Sequence, residues 1–177
     1  MASSSESKGL CVVLVEDTYE CLEYHYPKLR LEEAGYDVRS VGPEKGKVYK
    51  SKEGYWGPSD ATFKDIDAAQ VKCLVVPGGF CTDRLRRFPE CNKLVADAFN
   101  NGAVIGFICH GAWVPISAKI VKGKRVTSHF AVRDDLENAG AEWVDEPCVV
   151  DGKLVTAQLP KDLPAFMKAI LSLLEQQ

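Results

Sequence analysis

The sequence predicts a single α/β domain built on a doubly wound, mostly parallel sheet sandwiched by helices. Three observations carry this expectation. Residues 10–15 (LCVVLV), 73–77 (CLVVP) and 103–109 (AVIGFIC) are continuously apolar, as in strands covered on both faces rather than one. Segments with helical spacing lie between these runs. The chain has 177 residues, a length that suits one domain with a substantial core, and no internal repeat or linker divides it.

The elements follow in order. Residues 1–9 begin Ser-rich and without an apolar core; they predict a disordered tail, not a secretory signal, ahead of a domain spanning 10–177. After the first strand, Leu22, Tyr26 and Leu29 recur at helical spacing, and Gly35 is suited to end that helix. Pro27 lies inside it, where it removes a hydrogen bond; the helix either kinks there or begins nearby. Residues 44–61 lack a clear period and read as a hairpin or a surface excursion. Residues 91–101 place Leu94, Val95, Ala98 and Phe99 on one face, ended by Gly102. Residues 113–120 read as a helix, 125–129 as a strand, and 133–139 as a short amphipathic helix ended by Gly140. Strands at 148–150 and 154–157 flank a two-residue turn at Asp151-Gly152. A last helix covers 163–174, with Leu163, Phe166, Ile170 and Leu174 on its apolar side.

Composition narrows the function. A net charge of −3 without any block of five basic residues argues against nucleic acid as a partner. The apolar runs are too short to cross a bilayer, so no membrane role is expected. Seven scattered cysteines with no CxxC pair predict no zinc site, and with no signal read at the start they predict reduced thiols in the cytoplasm.

The strongest chemical signal is a buried strand running directly into Cys109-His110-Gly111-Ala112. A tight strand-to-helix turn pushes a nucleophile into the cleft and directs the following N–H at a developing oxyanion. It also places the thiol at a helix start that favours the thiolate. Cys109 is accordingly the expected nucleophile, and Gly111 allows close approach. A second signal is Gly78-Gly79 after the middle strand, whose N–H groups could complete an anion hole or bind substrate. A third is the acidic run Glu16, Asp17 and Glu20 after the first strand, at the sheet edge where open α/β sheets place their sites. Alone, each is also compatible with a plain structural role. His25 reads as a surface or packing residue, and His129 as a cleft wall or a bystander. Cys21 and Cys81, on the crevice loops, read as redox-sensitive thiols or spectators.

Together these residues resemble the PfpI/ThiJ (DJ-one) superfamily, which has a flavodoxin-like, class I glutamine amidotransferase-like fold. The similarity is strongest to its PfpI branch, through Tyr26-Pro27, Asp83-Arg84-Leu85-Arg86, Asp134-Asp135-Leu136, Ala139-Gly140-Ala141-Glu142-Trp143 and Val150-Asp151-Gly152. The resemblance implies a proline within the first helix. It implies a glutamate that hydrogen-bonds the nucleophile, matched here to Glu20, with Glu16 the second claimant. It implies His110 as an acid/base partner, and a carboxylate from a neighbouring subunit, matched to Asp83, that orients the histidine. It further implies a homo-oligomer (dimer, trimer or hexamer) and a small dicarbonyl substrate, with neither cofactor nor metal. The activity it implies is a cofactor-independent glyoxalase or related deglycase. The alternatives are an intracellular cysteine peptidase, and a non-enzymatic redox sensor or chaperone using oxidation of Cys109.

Overall fold

A computed structural model describes residues 7–177. The part of the expected tail at residues 1–6 lies outside the described residues. Residues 7–9 belong to the body instead. The Asp37 N–H donates to Ser7 Oγ at 2.9 Å, and the Lys8 N–H donates to the Gly35 carbonyl at 3.1 Å.

Strand β1 (Leu10–Leu14) leads into α1 (Cys21–Glu33) and β2 (Asp37–Val41), followed by a small hairpin of β3 (Val48–Lys50) and β4 (Trp56–Pro58). The chain continues through β5 (Val71–Val76), α2 (Cys81–Leu85), α3 (Pro89–Asn100), β6 (Val104–Ile108) and α4 (Trp113–Ser117). Then come β7 (Arg125–Val126), α5 (Arg133–Asn138), β8 (Glu142–Trp143), β9 (Cys148–Asp151), β10 (Leu154–Ala157) and α6 (Leu163–Leu174). Six strands form one sheet in the order β2-β1-β5-β6-β10-β9. All neighbours in it are parallel except β9, which pairs antiparallel with β10. Helices α1 and α6 pack together, as do α3 and α4, on a sheet whose central strand β6 is buried throughout. The expected doubly wound α/β sandwich is the observed fold. Its strand order reverses beside β1 and β5, which is where such sheets form a crevice at their carboxyl ends.

The local expectations differ from the structure in five places. Strand β2, with its polar Asp37, Arg39 and Ser40, lacks the apolar run that marks its neighbours. The strand expected at 125–129 pairs only over Arg125–Val126. The hairpin turn is Gly152-Lys153, one residue later than expected, because Asp151 still pairs with Leu154. The helix expected at 113–120 stops at Ser117, and Lys119 takes a left-handed conformation with φ 61°. Finally, α1 runs unbroken through Pro27, but on a different face from the one expected. Leu22 and Leu29 are exposed, while Glu23, Tyr24, Pro27 and Leu31 are buried. The third and fourth residues of that helix thus turn inward, and one of them is a carboxylate.

Candidate active site

Cys109 sits where β6 stops and a 3₁₀ turn (Cys109–Ala112) begins. Its φ is 60°, a left-handed conformation that costs a non-glycine residue about 1–3 kcal/mol and persists only where the surroundings enforce it. The enforcement is visible in the packing. Gly111 passes so close to β5 that a Cβ there would stand 2.6 Å from the Val76 carbonyl oxygen. Thr82 Oγ1 donates to the His110 carbonyl at 3.0 Å and lies 3.2 Å from the Gly79 carbonyl, tying the two loops together. Cys109 is 7% exposed and lines a cavity of about 430 Å³ with residues including Glu20, Glu23, Lys52, Gly79, His110 and His129.

The carboxylate that meets the sulfur is Glu23, not Glu20. Glu20 caps α1: its Oε2 accepts the Glu23 N–H at 2.8 Å, and its Oε1 lies 3.9 Å from Lys52 Nζ. The Glu23 side chain is fully buried. Its Oε2 accepts the Gly78 N–H at 2.8 Å, while Oε1 has no hydrogen-bond partner; the side chain meets Cys109 across Gly78 and acts on its thiol. Burial, and then the charge of Glu20, push the Glu23 carboxyl up to about 8. At neutral pH it therefore carries a proton, and the orphaned oxygen becomes a donor toward sulfur. Burial, and then Glu23, push the Cys109 thiol up to about 12, opposed by the N–H of His110. The first proton to leave this pair leaves near 8, and the one that remains lies between oxygen and sulfur.

His110 stands on the other side of the thiol, with Nδ1 3.3 Å from Sγ. Burial lowers its proton affinity, as do His129 and Lys52, so the ring is held neutral and can accept a proton. His129, one of two readings at the sequence level, is a cleft wall, and its ring stacks on that of His110 at 4.5 Å.

The glycine expectations divide. Gly79 lines the cavity at φ 82°. The Gly78 N–H is engaged by Glu23 and is not available to a substrate oxygen. Gly78 serves instead as the gap in which three segments meet: a Cβ there would collide with the Glu23 carboxyl and stand 2.8 Å from the Cys109 Cβ. Gly111 is a packing residue, buried against Val76. Asp83 does not line the cleft; its carboxylate pairs with Arg87 one helical turn on. Glu16 accepts its own neighbour's N–H. Cys81 is buried and donates to the Gly78 carbonyl at 3.3 Å, and burial pushes it and Cys21 up, away from thiolate character. His25 packs among tyrosines, 3.2 Å from the Tyr19 hydroxyl.

Among the described residues no cluster of three or more metal-binding side chains occurs, and no helix is long and apolar enough to cross a membrane.

The chain is similar to known proteins over nearly its whole length. Residues 10–173 match the model of the DJ-1/PfpI family. Deglycase PfpI of Pyrococcus furiosus is 38% identical over 162 residues, 92% of this chain and 97% of that protein. Protein/nucleic acid deglycase 2 of Escherichia coli is 35% identical over 164 residues, 92% of this chain and 95% of its own length. Among solved structures, a two-domain protein from Anabaena variabilis with DJ-1/ThiJ/PfpI-like and ferritin-like domains superposes with a TM-score of 0.92 at 35% identity. The match covers 94% of this chain and 48% of that one.

Proposed function

Because the chain belongs to the DJ-1/PfpI family, we propose that it is a cysteine-dependent enzyme acting on small α-oxoaldehydes such as methylglyoxal, or on the early adducts they form. The observation that carries this reading is the placement of the buried Cys109 thiol between a protonated Glu23 and a neutral His110.

Sγ attacks the aldehyde carbon while the protonated Glu23 gives its proton to the new oxyanion and takes the thiol proton in exchange, giving a neutral hemithioacetal. The N–H groups of Gly79 and His110 hold that oxygen while it is charged. His110 then takes the proton from the former aldehyde carbon and returns one to the neighbouring carbonyl carbon, through an enediol. This leaves a thioester of a 2-hydroxy acid. Water hydrolyses the thioester and the thiol is regenerated, so the sum is oxoaldehyde plus water to hydroxy acid. Covalent capture divides one difficult rearrangement into easier steps, and each placed acid or base contributes about 10²–10⁴ in rate. A deglycase reaction uses the same residues with an adduct in place of the free aldehyde. A homo-oligomer in which Asp83 of one subunit approaches His110 of another is part of this reading, and Phe80, just before the helix that carries Asp83 and 55% exposed, is available for such a contact.

The deciding experiment follows methylglyoxal loss and lactate formation by the reduced protein and by Cys109→Ala, beside a peptidase assay. Turnover that vanishes in the variant supports the reading. Absence of dicarbonyl turnover, or hydrolysis of peptides in its place, refutes it.

A further inference from the structure

His129 is not on the strand–turn motif that delivers Cys109, yet it is bound to that motif twice. Its backbone N–H donates to the Cys109 carbonyl at 3.2 Å, and its ring lies 4.5 Å from the ring of His110, tilted by only 26°. The His129 ring is itself fixed. Its Nδ1 accepts the Ala131 N–H at 3.1 Å at the start of the 3₁₀ turn before α5, which leaves the proton of the neutral ring on Nε2 and prevents free rotation. On the other side, His110 meets the Trp113 ring edge-to-face at 5.6 Å.

We propose that His129 is a positioning residue for His110: the stacked, anchored ring holds the imidazole in the plane that brings Nδ1 to Sγ. An imidazole wedged between an anchored flat ring and a tryptophan edge keeps one orientation, whereas a solvent-exposed histidine turns freely about its side-chain torsions. The stack has a second consequence. Two imidazolium rings 4.5 Å apart repel each other, so the pair resists carrying two charges. The other ionisable groups of the cleft are Glu20, the cap of α1, Glu23 within it, Lys52 in the loop between β3 and β4, and Cys109. Lys52 acts on His110 in the same direction as His129, and Arg86 lies over the ring of Trp113. His129 thus keeps His110 both oriented and unprotonated. This rests on the reading of His110 as a proton carrier, but its first test does not require activity.

The chain contains three histidines, so their ring protons are resolved and assigned by NMR through single variants, with His25, among its tyrosines, as the internal control. In the wild type His110 titrates below the ordinary 6.5. In His129→Ala its midpoint rises toward that value, by about half a pH unit or more, while His25 does not move. On an α-oxoaldehyde the same variant loses about tenfold or more in kcat, with KM changed less. His129→Phe restores a flat ring without a charge; it recovers most of the kcat and brings the midpoint part of the way back. An unmoved His110 midpoint in His129→Ala overturns the proposal, as does a kcat equal to that of the wild type. If the wild type turns over no dicarbonyl, the proposed activity fails while the titration still decides the role of His129.

Discussion

Replacing Glu23 by glutamine removes an ionisable group from the interior without removing its shape, and the consequence for stability can be worked out. Glutamine can accept the Gly78 N–H through its oxygen and present its NH₂ group where the protonated carboxyl faces the thiol. The native carboxyl titrates at about 8 against an ordinary 4.5. At about 1.36 kcal/mol per pH unit, that difference corresponds to about 5 kcal/mol. The sign follows from which state holds the proton. Below 4.5 both folded and unfolded chains carry it, and native stability is at its full value. Between 4.5 and 8 only the folded chain holds it, so each rise in pH favours unfolding by about 1.4 kcal/mol per unit, and above 8 the loss is complete. Glu23→Gln does not titrate. Urea unfolding of both proteins from pH 5 to 9, at one protein concentration, should therefore show the variant gaining on the wild type through this range. The gap should level off above pH 8 at no more than about 5 kcal/mol, or roughly 10–20 °C in Tm for a chain of this size. Parallel stability curves would refute a buried, protonated Glu23. A gap that widens toward low pH would reverse the assigned sign.

Steady-state rates should show the same pair from the catalytic side: log kcat/KM on methylglyoxal should be level below about pH 7 and fall by about one per pH unit above about 8, where the Glu23–Cys109 pair loses the proton that Glu23 passes to the new oxyanion. A profile flat from pH 6 to 9 would contradict it. Cys109→Ala should lose at least about 10³-fold in kcat while unfolding close to the wild-type temperature, because alanine keeps the Cβ and the same left-handed backbone and the lost sulfur opens only a small cavity; residual turnover within tenfold of the wild type would show that Cys109 is not the nucleophile. Gly78→Ala should reduce both activity and stability, the latter by about 1–3 kcal/mol, since its methyl meets the Glu23 carboxyl and the Cys109 Cβ; thermal denaturation and the dicarbonyl assay measure the two effects. Thr82→Val should lower kcat with a modest loss of about 1 kcal/mol in unfolding free energy, because the hydroxyl joins the His110 and Gly79 loops.

The legible parts of the sequence were those in which one residue type suits one backbone. Three unbroken apolar runs marked the interior strands because a strand covered on both sides has no polar face to show, and Cys109 was marked by the abrupt end of such a run. Strand β2 escaped because it is the edge of the sheet, where Asp37 and Arg39 can face water and pair with each other. Thr82 escaped because its role depends on a bond to a residue 28 positions away, and spacing carries no trace of that.

The misplaced glutamate has a more specific cause, and it bears on how the site works. Leu22, Tyr26 and Leu29 form a good helical stripe, so they are taken for the buried face of α1, and Glu23 is then turned toward water. The structure exposes Leu22 and Leu29 and buries the stripe through Glu23, Pro27 and Leu31. That stripe repeats every four residues, which is equally helical, but it contains a carboxylate and a proline, two residues that a search for apolar periodicity discards. Its buried members serve different ends. Pro27 and Leu31 fill space, whereas Glu23 spans from the helix to the Gly78 loop and on to the sulfur. A carboxyl group placed in the core half of a helix is poorly chosen for stability. In that position it stays mostly protonated at neutral pH, and an acid that keeps its proton beside a thiol is what the proposed covalent reaction at Cys109 uses. The residue that hides the site from pattern reading is therefore the one whose environment makes its chemistry possible.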